Sequence, residues 1–144
     1  MKFTQALILT AGMIAAFDLL QPARAVPEYL GILLDQFGLQ HDQTATTARC
    51  TYCHVNSDGS VPWNAFGDRV HVALFEPESR YNLALSLYRV LEQDKDSDGD
   101  GYTDVLEVVA KTLPGDAASK PKPSVAELSA RLEKLGGVKI FKPK

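Results

Sequence analysis

Five consecutive residues, Cys50-Thr51-Tyr52-Cys53-His54, bring two thiols and an imidazole together. They include both cysteines of the 144-residue chain. Two thiols at this spacing suit thioether bonds to the two vinyl groups of a haem, and the next histidine suits an axial bond to its iron. The string therefore predicts a covalently attached haem, with Cys50 and Cys53 as attachment points and His54 as an iron ligand.

A short disulfide is the alternative interpretation, because C-x-x-C pairs also oxidise in exported proteins. A zinc site needs four ligands, and the sequence has no second cysteine pair or histidine pair at metal spacing. The histidine favours the haem, since a disulfide does not require it. In residues 50–54 the chain resembles the monohaem c-type cytochromes. That resemblance implies haem c as the cofactor and one-electron transfer as the function. A haem enzyme or gas sensor, which would need an open iron site, is a further hypothesis.

The N-terminus carries the signals of export. Lys2 precedes an apolar stretch over residues 6–17, and Ala23-Arg24-Ala25 forms an A-x-A cleavage site. We interpret residues 1–25 as a signal peptide, because the apolar stretch is shorter than the ~20 residues that span a bilayer. The prediction is a periplasmic or secreted protein with no transmembrane segment in the mature chain.

The second axial ligand of the iron is constrained by counting. Met1 and Met13 are the only methionines, and both leave with the signal peptide. A methionine ligand is therefore excluded in the mature chain, and histidines are the next candidates. We favour His71, which borders the apolar face of a predicted helix, over His41, which lies in a polar stretch. A lysine, a water molecule or a vacant position are the remaining possibilities.

The second chemical motif is an acidic loop over residues 96–107, which fits D-x-D-x-D-G-x5-E without a mismatch. Its predicted ligands, at positions 1, 3, 5, 7, 9 and 12 of the loop, are Asp96, Asp98, Asp100, Tyr102, Asp104 and Glu107. Tyr102 would contribute its carbonyl and Glu107 both carboxylate oxygens. Hard oxygen ligands in this number suit Ca²⁺.

The acidic loop resembles the calcium loops of EF-hand and thrombospondin-type proteins. The order of C-x-x-C-H, Asn64-Ala65-Phe66-Gly67 and the acidic loop also resembles the temptin-like family of small exported proteins. Temptin-like proteins use cysteines in disulfides. The alternative function is therefore a non-haem, calcium-stabilised binding module with a Cys50–Cys53 disulfide.

The remaining sequence predicts a mostly α-helical protein. We expect one small cytochrome c-like domain over residues 26–119, with a helix-loop-helix calcium site. Predicted helices run from Pro27 to Gly38, from Trp63 to before Pro77, and from Glu78 to Glu92. The aromatic residues expected in the core, or in the wall of the haem pocket, are Trp63, Phe66, Phe75, Tyr81 and Tyr88.

Residues 120–144 form a basic segment, with seven Lys or Arg against two Glu, and the preceding domain is acidic. A capping box at Ser124 and Gly136-Gly137 bracket a short amphipathic helix, which we expect to dock on the domain. The basic residues are not interleaved with aromatic ones, so no nucleic-acid surface is predicted. The expected partners are extracytoplasmic redox proteins.

Overall fold

Helices and short loops make up the computed structural model, which describes residues 27–39 and 50–144. The predicted signal peptide and His41 lie outside these residues. Five α-helices and two 3-10 helices are found in the described part of the chain. In order, they are α1 Pro27–Gln36, the 3-10 helix Cys50–Tyr52, α2 Ala65–Phe75, α3 Leu83–Glu92, α4 Asp104–Ala110, α5 Val125–Leu135 and the 3-10 helix Val138–Phe141.

The described residues contain no strand, only an isolated antiparallel bridge between His54 and Trp63. The prediction of a mostly helical, small single domain is confirmed at this level.

Short polar side chains fix three of the helix starts. The side chains of Asn64, Asn82 and Ser124 accept hydrogen bonds from the first-turn N–H groups of α2, α3 and α5. Ser124 and Glu127 form the predicted capping box. Gly136 ends α5 with a φ of 107°, in the left-handed region that glycine enters at no steric cost.

The third helix begins later than predicted. Arg80 and Tyr81 have φ values of 49° and 60°, which interrupt helical backbone, and α3 begins only after Asn82. Tyr81 is 68% exposed and Phe75 is 58% exposed, so the prediction that both belong to the core is wrong.

The core is centred on α3, which packs against α1, α2 and α4. Leu87 and Phe66 are fully buried. Helix α5 packs against α4 through the buried Leu128, and the Phe141 ring meets the Phe37 ring edge-on at 5.8 Å. The basic C-terminal segment is therefore part of the core. None of the described helices has the length and apolarity needed to cross a membrane.

Candidate functional site

The Cys50–His54 segment forms one tight turn. The 3-10 helix Cys50–Tyr52 starts it, and the carbonyl of Cys50 accepts hydrogen bonds from the N–H groups of Cys53 at 3.1 Å and His54 at 2.9 Å. No disulfide joins the two cysteines. The turn thus brings together the three predicted haem-binding residues in one compact unit.

Both thiols are held in their protonated form. Burial, followed by the charge of Asp58, raises the pKa of Cys50. Burial, followed by the neighbouring Cys50, raises the pKa of Cys53 to about 12. Redox-active C-x-x-C pairs have thiol pKa values below the ordinary one, because the thiolate is their nucleophile. These two cysteines therefore lack the electrostatics of a dithiol oxidoreductase.

The imidazole of His54 is oriented through one of its nitrogens. Nδ1 lies 3.2 Å from the carbonyl oxygen of Ser60. A carbonyl only accepts hydrogen bonds, so Nδ1 carries the proton and Nε2 carries the lone pair. Burial lowers the pKa of His54, which is only 8% exposed, and this favours the neutral ring. A neutral imidazole with a free Nε2 lone pair is the form that binds a metal.

The loop over residues 55–62 holds the Ser60 carbonyl in place. The Asn56 amide donates to the Ser60 hydroxyl at 3.0 Å and to the carbonyl of Val61 at 2.9 Å. The N–H of Ser60 donates to the Asp58 carboxylate at 2.9 Å. The polar residues that the sequence shows only as a turn-rich loop therefore support the ring orientation of His54.

Asn64 joins the cysteine turn to α2. Its amide nitrogen donates to the carbonyls of Thr51 at 2.7 Å and Tyr52 at 3.1 Å, and its amide oxygen accepts from the N–H of Gly67 at 2.8 Å. A Cβ atom on Gly67 would lie 1.9 Å from the Cys53 carbonyl oxygen. The Asn-x-Phe-Gly string thus has a physical role that sequence reasoning missed: it packs α2 directly on the turn.

A row of aromatic rings leads from His54 to the surface. Successive ring centroids lie 4.2 Å apart from His54 to Trp63, 5.1 Å from Trp63 to His71, 5.0 Å from His71 to Phe75 and 5.4 Å from Phe75 to Tyr81. We call these five residues the aromatic row. His54 and His71 both contact the Trp63 ring and have no direct ring contact with each other in the described residues. The half-buried His71 therefore lies on the same side of the protein as His54.

The acidic loop lies between α3 and α4 and gathers three predicted ligands. One carboxylate oxygen from each of Asp96, Asp98 and Asp100 lies within 4.8 Å of the others. Asp96 accepts from the N–H groups of Gly99 at 2.7 Å and Gly101 at 2.8 Å, which curls the loop around the carboxylates. Burial raises the pKa of Asp98, and the charges of Asp100 and Asp96 add to this effect.

The side chain of Glu107 gives the strongest indication of a cation site. It is fully buried, and neither carboxylate oxygen has a hydrogen-bond partner in the described residues. Burial, followed by the charges of Asp98 and Asp100, raises its pKa to about 9. One oxygen each of Asp98 and Asp100 is likewise buried without a partner. Unpartnered buried carboxylates are costly, and a divalent cation with oxygen ligands removes that cost. These residues fit Ca²⁺.

The other two predicted loop ligands have additional contacts. Asp104 is 1% exposed, forms an ion pair with Arg69 and accepts hydrogen bonds from Ser97, so its carboxylate is engaged outside the acidic cluster. The Tyr102 hydroxyl donates to the carbonyl of Pro123 at 3.1 Å. Its backbone carbonyl is the atom that the motif assigns to the cation.

Comparison with protein-family models, curated proteins and solved structures gives no match to this chain.

Proposed function

We propose that this protein is an exported monohaem c-type cytochrome that transfers single electrons between extracytoplasmic partners and is stabilised by one calcium ion. The observation that carries the proposal is the geometry of His54. Its Nδ1 proton is donated to the Ser60 carbonyl, which leaves Nε2 available in the turn that also presents both cysteines. A metal-binding histidine typically has this arrangement, with a second hydrogen bond that fixes the tautomer.

Four residues would hold the haem, in two different roles. Cys50 and Cys53 would form the thioether bonds, and His54 Nε2 and His71 would be the iron ligands. When bound, the haem supplies an iron that changes between two oxidation states. Ser60 orients the His54 ring, and the exposed Phe75 and Tyr81 rings offer apolar surface beside His71. A porphyrin would cover such surface, which otherwise faces water.

The state of the two thiols disfavours a competing redox function. Their raised pKa values mean that neither is a thiolate at neutral pH. Thiol–disulfide exchange requires an attacking thiolate, so this turn is poorly suited to that chemistry. Attachment to a haem would use both sulfurs without requiring such reactivity in the folded protein.

The proposed calcium ion would bind in the acidic loop. Asp96, Asp98, Asp100 and Glu107 would bind the ion together with the carbonyl of Tyr102. The cation would supply the missing partner of both Glu107 oxygens. A single loop of this kind favours a stabilising role over signalling, because EF-hand sensors generally pair two loops.

The decisive experiment is expression of the full chain with haem-maturation proteins. We expect the purified protein to keep a haem after denaturation, with a mass that exceeds the mature chain by one haem. The fluorescence of Trp63, the only tryptophan, should be quenched relative to haem-free protein, since its ring contacts His54. The double variant Cys50→Ala, Cys53→Ala should lose the haem, whereas the matched variant Thr51→Ser should keep it. An unmodified mass in the wild-type protein would overturn the haem assignment.

The second axial ligand is tested by a matched pair of histidine variants. His71→Ala should convert a low-spin ferric spectrum to a high-spin one, because it removes one of the two proposed iron ligands. His41→Ala should leave the spectrum unchanged. A potential below that of Met/His cytochromes is also expected, since methionine ligation raises it. An unaltered spectrum of the His71→Ala variant would exclude His71 as the ligand.

A further inference from the structure

Arg69 joins α2 to the acidic loop through several side-chain contacts. It lies on α2, and its guanidinium forms an ion pair with the Asp104 carboxylate. Nη1 also donates to the Ser97 hydroxyl at 2.8 Å, and Nη2 donates to the Gln93 amide oxygen at 2.7 Å and to the carbonyl of Val90 at 3.5 Å. One side chain of α2 therefore connects the end of α3, the acidic loop and the start of α4.

On the calcium side, Asp104 closes the loop. Its Oδ1 accepts from the Ser97 N–H at 2.9 Å and its Oδ2 from the Ser97 hydroxyl at 2.9 Å. Asp104 is also the first residue of α4, three residues before Glu107. A cation that draws Asp98, Asp100 and Glu107 together would therefore also fix Asp104, which is the ion-pair partner of Arg69.

On the haem side, α2 is attached to the cysteine turn at its N-terminus. Asn64 and Gly67 hold the backbone of this turn, and His71 follows Arg69 by two residues. An eleven-residue helix moves as a unit, so a displacement at Arg69 is shared by both ends of the haem site.

We propose that Arg69 is the positioning residue through which the calcium loop controls the haem-bearing segment. It acts through Asp104 and has no role as a ligand of either group. The inference rests on the proposed function for its biological meaning, although the contacts that carry it lie in the protein alone. Because coupling between two sites is reciprocal, the redox state of the iron should in turn alter calcium affinity.

The test is hydrogen exchange of the full chain with calcium or with EGTA, measured both with and without attached haem. In the wild-type protein we expect calcium to slow exchange about fivefold or more in the loop 96–107, in α2 and in the turn 50–54. In Arg69→Met, calcium should slow exchange in the loop only. Arg131→Met is the matched control, since Arg131 is exposed on α5, and should behave as wild type.

Arg69→Lys provides a second variant in case Arg69→Met does not fold. Lysine keeps the charge but loses the planar fork that reaches Asp104, Ser97 and Gln93 together, so calcium-dependent protection of α2 should fall by about half or more. Wild-type-like protection of α2 in Arg69→Lys and in Arg69→Met would overturn the inference.

A redox titration adds an independent readout in the holoprotein. We expect calcium to bind one oxidation state about threefold more tightly, which equals a shift of about 28 mV in the one-electron potential. In Arg69→Met this difference should vanish. Protection of the loop without protection of α2 in the wild type would overturn the inference alone. Loss of the haem with coupling intact would overturn the haem assignment alone. A loop that calcium does not protect would overturn the inference together with the calcium assignment and would leave the haem assignment standing.

Discussion

The buried carboxylate of Glu107 predicts that the stability of the calcium-free protein depends on pH and that saturating calcium removes this dependence. In the absence of a cation its pKa is about 9 in the folded state, against an ordinary value of 4.5. The native protein then holds a proton between these limits that the unfolded chain has lost. The stabilising contribution of this group is complete below pH 4.5 and is lost as the pH rises to about 9.

The size of the effect follows from one proton. The free energy of unfolding in EGTA should fall by about 1.4 kcal/mol per pH unit, or by about 2 kcal/mol between about pH 7 and about pH 8.5. Asp104, whose pKa is raised to about 6 by burial, acts with the same sign only at lower pH. With saturating calcium, Glu107 is ionised in both states, so this slope should disappear.

Urea denaturation at several pH values, in EGTA and in calcium, measures both slopes. Glu107→Gln removes the titrating group, so in EGTA its stability should be flat over this range and should gain about 2 kcal/mol on the wild type by the upper end. Its calcium binding should be strongly weakened. Glu133→Gln, at an exposed site on α5, is the matched control. A wild-type protein whose calcium-free stability is constant or increases over this range would refute the reasoning.

Two further predictions concern packing, and both are measured by urea denaturation. Gly67→Ala should lower the free energy of unfolding by about 3 kcal/mol or more and reduce haem attachment, because its Cβ would collide with the Cys53 carbonyl. Gly31→Ala, with no atom within 4 Å of the new Cβ, should instead stabilise α1 by about 0.5–1 kcal/mol. Leu128→Ala should lower the free energy of unfolding by about 3 kcal/mol, because Leu128 is buried in the core. Leu135→Ala, at a 51% exposed site, should change it by no more than about 0.5 kcal/mol. Equal costs within either pair would contradict the packing described.

Local signals in the sequence predicted local structure well. The capping box at Ser124 and the glycine at position 136 bracket α5 as expected, because caps act within one turn of the chain. The start of α3 was misplaced. Nothing in the side chains of Arg80 and Tyr81 forbids a helix, and only the folded chain reveals their left-handed backbone.

At the candidate sites too, contacts within a motif could be predicted from the sequence, whereas contacts between residues far apart in the chain could not. Motif spacing predicted that Asp96, Asp98 and Asp100 converge, and the structure brings them together. It did not predict the ion pair of Asp104, whose partner Arg69 lies 35 residues away along the chain. Such a contact depends on how α2 packs against α3 and α4, which a linear pattern does not record.

The contact between the two ends of the described chain has a consequence for the order of assembly. Gln36 donates a hydrogen bond to the carbonyl of Phe141, 105 residues later, and the ring of Phe141 also contacts the ring of Phe37, the residue after Gln36. By contrast, the turn at Cys50, its supporting loop and α2 are joined by bonds that span only a few to thirteen residues. Short loops close at lower entropic cost than long ones.

The cysteine turn and its supporting loop can therefore form while the core is still open, and the core closes fully only when Phe141 is available. On the proposed function, the attachment machinery would meet both thiols in a turn that is already formed and still accessible.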